Sequence, residues 1–182
     1  MPSNSIKQLK KIFLDNIFDV GPTTAHKTLA ALEQANKLEG VITTNVDYLH
    51  EIAGSKNVAD VWSSFNVNYC LTCHKTYPIE VWNQGHAPMC PDDGGIISPS
   101  PTFNHIGRSA KDLAHADNMM KTADLVIVIG SNGYYSNLSS TTKVVQINPK
   151  RTGFDLRANL NFHKNADEIL LQVAQQINLE IK

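Results

Sequence analysis

Apolar residues at positions 4–18 recur with helical spacing. Ile6, Leu9, Ile12, Phe13 and Ile17 share one face and lysines lie opposite, which predicts an amphipathic helix. Asp19-Val-Gly-Pro22 ends it. Thr23 or Thr24 can cap a second helix running to about Asn36, with Ala25, Leu29, Leu32 and Ala35 on its apolar face. The period then changes. Gly40-Val-Ile-Thr-Thr-Asn45 is a short β-rich run that ends in polar residues, as a buried parallel strand does when it delivers side chains to a site. Asp47 to Ile52 predicts a short helix, Ala53-Gly-Ser55 a turn, and Val58-Ala-Asp-Val-Trp62 a second strand.

From about Asn66 to Ile97 the chain is rich in turns and predicts a small antiparallel unit. Ser98-Pro-Ser-Pro-Thr102 must be extended, because each residue before a proline is pushed out of the α region. A helix follows over 108–122. Asp124-Leu-Val-Ile-Val-Ile-Gly130 is apolar on both faces and stops at glycine, the pattern of a central strand in a parallel sheet. Lys143-Val-Val-Gln-Ile-Asn148 and Leu160-Asn-Phe162 predict two more strands, and Asn165 or Asp167 starts a last helix to about Ile177. Helices alternating with apolar strands indicate an α/β doubly wound sheet carrying an insertion.

Composition narrows the function classes. The 182 residues suffice for one domain with a small insertion, and 42% hydrophobic against 18% charged residues allows a sizeable core. A net charge of −1 lacks the basic face that broad nucleic-acid binding requires. No run of 18 apolar residues predicts a membrane span, and the first residues lack the apolar stretch of a secretion signal. All three cysteines lie close together, which points to a reducing, cytoplasmic setting and to metal rather than disulfides.

Those cysteines carry the clearest chemistry. Cys70-Leu-Thr-Cys73 is one metal knuckle, and Cys90-Pro-Asp-Asp93 repeats its spacing with a carboxylate in the fourth position. The 16 residues between Cys73 and Cys90 fit a zinc ribbon, and zinc accepts thiolate and carboxylate together. Asp92, His74 and His86 are the alternatives to Asp93 as fourth ligand. A redox role for the CxxC would leave Cys90 and its Cys-Pro-Asp-Asp-Gly-Gly turn unexplained. Three strand ends are also polar: Thr43 to Asp47, Gly130-Ser131-Asn132, and Asn148. Ligands of open α/β sheets sit outside such ends, and this donor and acceptor set suits a nucleotide.

Together these segments resemble the sirtuin family of NAD-dependent protein deacylases. Thr43-Thr-Asn-Val-Asp-Tyr-Leu-His50 is similar to the family's TQNIDxLH motif, and Ala53-Gly-Ser55 to the AGS after it. The two metal pairs match the family's zinc ribbon. Asp124 to Ser131 resembles the strand ending in GTS, and Ile147-Asn148 the later IN. Pro22, His26, Leu29 and Leu32 repeat a helical pattern of the family. The resemblance implies a Rossmann-like domain over 21–65 and 98–182, a zinc-ribbon module over 66–97 and a small-domain helix remnant over 1–20. It implies NAD and acyl-lysine protein substrate in the cleft. Asn45 and Asp47 would be catalytic-site residues beside the nicotinamide ribose, and Gly130, Ser131 and Asn148 would hold the cofactor. Cys70, Cys73, Cys90 and Asp93 would hold zinc.

Several family features are changed. The GAGxS phosphate turn and the first βαβ unit have no counterpart in these residues, so the parallel sheet is expected to be incomplete and open at its middle. Trp62 falls where the family has its catalytic histidine; an indole N–H donates and cannot accept a proton. Losing a general base costs about 10²–10⁴-fold. Phe103-Asn104-His105 replaces the family's FGE, with His105 as a substitute base to consider. The expectation is a degenerate sirtuin, a pseudoenzyme with a structural zinc site. The alternative is an NAD-dependent deacylase or ADP-ribosyltransferase completed by a second chain, by an N-terminal segment or by homo-oligomerisation.

Overall fold

The computed structural model describes residues 19–84, 87–100, 109–132 and 138–181. The expected helix over 4–18, His86 and the Phe103–His105 segment lie outside them. Helix α1 (Thr24–Gln34) starts at Thr23, whose backbone N–H donates to His26 Nδ1 at 3.3 Å. A second first-turn donor, the Ala25 N–H, is met at 2.6 Å by Asp167 from the other end of the chain. Leu29 and Leu32 are buried as the helical period requires, but the helix stops at Gln34. Ala35 is therefore the C-cap and exposed, not part of the apolar face.

Strand β1 (Val41–Thr43) pairs in parallel with β2 (Val58–Asp60), the short helix α2 (Leu49–Ile52) crossing between them. A three-stranded antiparallel sheet follows: β3 (Asn68–Cys70) lies between β4 (Thr76–Tyr77) and β5 (Ile97–Pro99). Helix α3 (Ala110–Thr122) is capped by Ser109, whose side chain accepts from the Asp112 N–H. The second parallel sheet runs β6 (Leu125–Ile129), β7 (Lys143–Ile147), β8 (Leu160–Phe162), in that order. Helix α4 (Ala166–Gln176) closes the chain and packs on α1. The fold is thus mixed α/β with parallel sheets and an antiparallel module.

The central strand of the larger sheet is β7, not β6. Gln146 and Val144 of β7 are fully buried, whereas β6 stands at the edge and Leu125 is 51% exposed. The uniformly apolar Leu-Val-Ile-Val-Ile of β6 has an internal strand's sequence without, among the described residues, a partner on its second side. The β1–β2 pair and the β6–β8 sheet are joined by packing instead. Leu29 and Leu32 of α1, Leu170 and Ile169 of α4 and Ile147 of β7 form one cluster, against which both Val41 and Ile127 pack. No described helix is long and apolar enough to cross a membrane.

Candidate metal centre and cleft

The metal-ligand geometry is built by two tight turns. Cys70 ends β3, and the Thr72 and Cys73 N–H groups point at its Sγ from 3.3 and 3.5 Å. The chain reverses at His74, φ 61°, letting the Cys70 N–H reach the Lys75 carbonyl at 2.9 Å. The second turn is closed by Cys90 N–H to the Gly95 carbonyl (2.7 Å) and Gly94 N–H to the Cys90 carbonyl (2.9 Å). One donor atom each from Cys70, Cys73, Cys90 and Asp93 lies within 4.8 Å of the others. The Cys73 and Cys90 sulfurs are 3.7 Å apart. A tetrahedral zinc with bonds of about 2.3 Å separates its sulfurs by about 3.8 Å.

The cradle fits the chemistry of that donor set. A Cβ on Gly95 would meet Cys70 Sγ and Thr72 Oγ1 at 2.6 Å, so the turn can close only with glycine there. The Gly95 N–H, 2.8 Å away, and then Cys90 hold the Asp93 carboxyl down at about 2. The Tyr77 hydroxyl, 3.0 Å from its sulfur, lowers the Cys90 thiol. The backbone of Lys75 pulls Cys73 down, but desolvation and the neighbouring Asp93, Cys70 and Cys90 push it up to about 12. A cluster that resists carrying four anions is one that a dication relieves. Of the alternative fourth ligands, Asp92 turns outward to Lys75 Nζ at 2.6 Å, and neither it nor His74 belongs to the group.

A cleft of about 700 Å³ lies between β1 and β6. Of the residues expected at the nucleotide site, Asn45, Gly130 and Ser131 line it together. Gly130 has φ 64°, and nothing lies within 4 Å of where a side chain would start. Asp47 and Asn148 are not among the lining residues. Asp47 Oδ1 accepts the Leu49 N–H at 3.0 Å and starts α2. Asn148 is buried and donates to the Ser131 carbonyl at 3.3 Å while accepting the Lys150 N–H at 3.0 Å. Both residues hold their turns in shape. Tyr48, between Asp47 and α2, takes φ 63° and packs against the Phe65, Ile79 and Trp82 cluster.

Two features of the site were not legible in advance. His26 and His50 both line the cleft with ring centroids 4.6 Å apart. Burial first, then the His26 ring, pushes His50 down to about 4 against the pull of Asp47. Its Nδ1 has no hydrogen-bond partner among the described residues. Asp60, at the end of β2, is pushed up to about 8 by burial and then by Glu51. Position 62 holds Trp62, packed against the Ala59, Val61, Ala116 and Met119 cluster of β2 and α3. One lysine, Lys37, and three carboxylates, Glu39, Asp124 and Asp167, line the cleft among the described residues.

Comparison with known proteins places these observations. The model described as the Sir2 family matches residues 3–135. The NAD-dependent protein deacetylase of Clostridium acetobutylicum is 30% identical over 161 residues, covering 84% of this chain and 65% of that protein. The deacetylase of Thermodesulfovibrio yellowstonii is 30% identical over 190 residues, covering 97% of this chain and 74% of that one. The chain therefore spans roughly two thirds to three quarters of such relatives. Among solved structures, a Sir2–p53 peptide–NAD+ complex superimposes with a TM-score of 0.77 at 29% identity, over 94% of this chain and 77% of that one. A chain solved for the structural basis of sirtuin substrate affinity gives 0.80 at 29% identity, over 93% and 75%.

Proposed function

Because the chain belongs to the Sir2 family, we propose that it is a degenerate sirtuin: a zinc-stabilised binding or assembly protein that does not deacylate lysine on its own. Trp62 carries this reading. It stands where the family pattern has a histidine base, and it packs against the Ala59, Val61, Ala116 and Met119 cluster and is not among the residues that line the cleft. The cofactor's anionic part is also poorly served. A diphosphate needs cations or helix N-termini, and one lysine against three carboxylates supplies little neutralisation. Asn45, Gly130 and Ser131 suit the neutral, hydrogen-bonding parts of a nucleotide, with Asp47 and Asn148 setting the turns that carry Asn45 and Ser131. The described residues thus fit part of NAD but not all of it, and no reaction step is derived through it.

Zinc is the better-supported ligand. Cys70, Cys73, Cys90 and Asp93 would hold it as a closed structural site, and the free cysteines suit a reducing compartment such as the cytoplasm. Calorimetric titration of the purified chain with NAD, and mass spectrometry of an acetyl-lysine peptide incubated with both, test the functional reading. No turnover and no micromolar binding are expected. Turnover of that peptide by the chain alone would refute it.

A second reading is favoured by one observation, the open strand edges on the two sides of the cleft. It is an NAD-dependent deacylase or ADP-ribosyltransferase completed by a further polypeptide. Activity that appears only on adding such a polypeptide, and needs Asn45, would support it over the first.

A further inference from the structure

Backbone N–H groups of the two turns face all four metal-ligand side chains. Cys70 Sγ meets the Thr72 and Cys73 N–H groups, and Asp93 Oδ1 the Gly95 N–H. The Cys73 thiol is met by the backbone of Lys75, and the Cys90 thiol by the backbones of Asp92 and Asp93. Among the described residues, Cys90 is the ligand that has a side-chain hydroxyl as well. The Tyr77 hydroxyl oxygen lies 3.0 Å from its sulfur and comes from β4, outside both turns. A zinc-bound sulfur is a thiolate with no proton to give, so in the loaded site the hydroxyl donates and the sulfur accepts.

Tyr77 is itself held at two points. Its ring packs against the buried cluster of Cys70, Cys90 and Ile97. Its backbone stands opposite Asn68 of β3. Asn68 is fully buried, and its side chain is saturated: Nδ2 donates to the Tyr77 carbonyl at 3.3 Å and to the Phe65 carbonyl at 3.1 Å, while Oδ1 accepts the Trp82 indole N–H at 2.7 Å. Trp82 is buried in turn against Phe65 and Ile79. A buried amide with both donors and its acceptor engaged is held in one orientation, and such a network is worth more than its separate pairs. A line of contacts therefore runs from the packed core of the module, through Trp82, Asn68 and Tyr77, to the sulfur of Cys90.

We propose that Tyr77 is a positioning residue for the metal: its hydroxyl donates to the zinc-bound Cys90 thiolate, and the buried Asn68–Trp82 pair holds it in place to do so. Cys90 is then set by the core of the module as well as by its own turn. A hydrogen bond to a thiolate draws charge from the sulfur and so reduces its repulsion of the other three anionic ligands. The hydroxyl therefore favours the closed arrangement with all four donors on one ion. The proposal rests on the zinc reading above and deepens it by naming a residue that tunes the site without touching the metal.

The test uses the purified full chain, with zinc measured by competition against a chromogenic chelator and with cobalt(II) in its place measured by absorption. Tyr77→Phe should bind zinc about tenfold more weakly, the lower end of what outer-shell partners usually contribute. It should also move the sulfur-to-cobalt charge-transfer band to lower energy, because a thiolate freed of its hydrogen bond gives up charge more readily. Tyr69→Phe, on the neighbouring β3, should change neither reading. A fluorinated tyrosine at position 77 is a stronger donor and should move the band to higher energy; it keeps the ring and the hydroxyl, so it reads the contact even where Tyr77→Phe fails to fold. Trp82→Phe should weaken zinc about threefold in the otherwise unchanged chain and add nothing in the Tyr77→Phe background, a coupling usual within one hydrogen-bonded network. Unchanged zinc affinity and an unmoved band in Tyr77→Phe would overturn the proposal. Equal losses from Trp82→Phe in both backgrounds would overturn the role of the Asn68–Trp82 pair. A wild-type chain that takes up no zinc refutes the zinc reading itself, whereas zinc uptake indifferent to Tyr77→Phe leaves that reading standing and removes this one.

Discussion

Two adjacent glycines on the second metal turn should both lose by alanine substitution, for different physical reasons that asparagine separates. At Gly95 a methyl group would sit 2.6 Å from Cys70 Sγ and 2.6 Å from Thr72 Oγ1, about 1 Å inside normal contact. Thr72 can rotate away. Cys70 cannot, since it is fully buried in β3 and its Sγ faces the N–H groups of Thr72 and Cys73. Forcing an extra methyl into such a site costs typically about 1–3 kcal/mol. If that strain falls on the closed ligand set, zinc affinity drops by about 5- to 150-fold at 1.4 kcal/mol per decade. At Gly94 nothing lies within 4 Å, but φ is 70°, so Gly94→Ala costs backbone strain of about 1–2 kcal/mol and no contact. Asparagine tolerates that conformation, so Gly94→Asn should restore most of what Gly94→Ala loses, while Gly95→Asn should be at least as harmful as Gly95→Ala. Metal content by mass spectrometry and competition against a chromogenic chelator measure both series. Wild-type zinc affinity in Gly95→Ala would show that the four donors do not close on one ion as their geometry indicates.

Three further outcomes follow from named contacts. Asp60 is held protonated in the fold, so its contribution is full below the unfolded carboxyl value and lost as pH rises towards about 8. His50 works in the opposite sense, losing stability only as pH falls from the ordinary histidine value towards about 4. The melting temperature should therefore fall between pH 6.5 and 8, where Asp60 alone of this pair changes, and Asp60→Asn should flatten that slope. An unchanged slope in the variant counts against the buried Asp60–Glu51 contact. Asp167→Ala removes the oxygen that meets the Ala25 N–H at 2.6 Å, and urea titration should show a loss of about 0.5–2 kcal/mol, partly recovered by Asp167→Asn. Trp82→Phe strands the buried Asn68 Oδ1, which accepts the indole N–H at 2.7 Å; a loss of about 1–3 kcal/mol in the same assay is expected.

What could be read from the sequence was what local rules decide. The helix periods of α1, α3 and α4, the five apolar residues of β6 and the two knuckles with Cys70, Cys73, Cys90 and Asp93 all follow from spacing. Spacing favoured Asp93 over Asp92, but the contacts that separate them, the Gly95 N–H on Asp93 and Lys75 on Asp92, leave no local pattern to read. The burial of β6 was overestimated because composition reports the environment a strand is suited to, not the neighbour it has. Asp47 and Asn148 fell in motif positions, but each spends its side chain on a local backbone turn. The His26–His50 pair and the Asp167 cap join residues 24 and 142 positions apart, so neither leaves a local pattern to read.

The two halves of the molecule are held by different physics. In the cysteine-bearing module the constraint is local: two turns, a 3.7 Å sulfur contact and a three-stranded sheet lie within residues 68–99. In the parallel part, the ladders among the described residues end at β1 and at β6, and the apolar cluster of α1, α4 and β7 connects the two sides. Apolar packing is non-directional and tolerates a change of spacing, whereas a ladder of hydrogen bonds does not. The cleft carries Asn45 on its β1 side and Ser131 on its β6 side, so the apolar cluster that joins the two sides also sets the spacing of these polar groups.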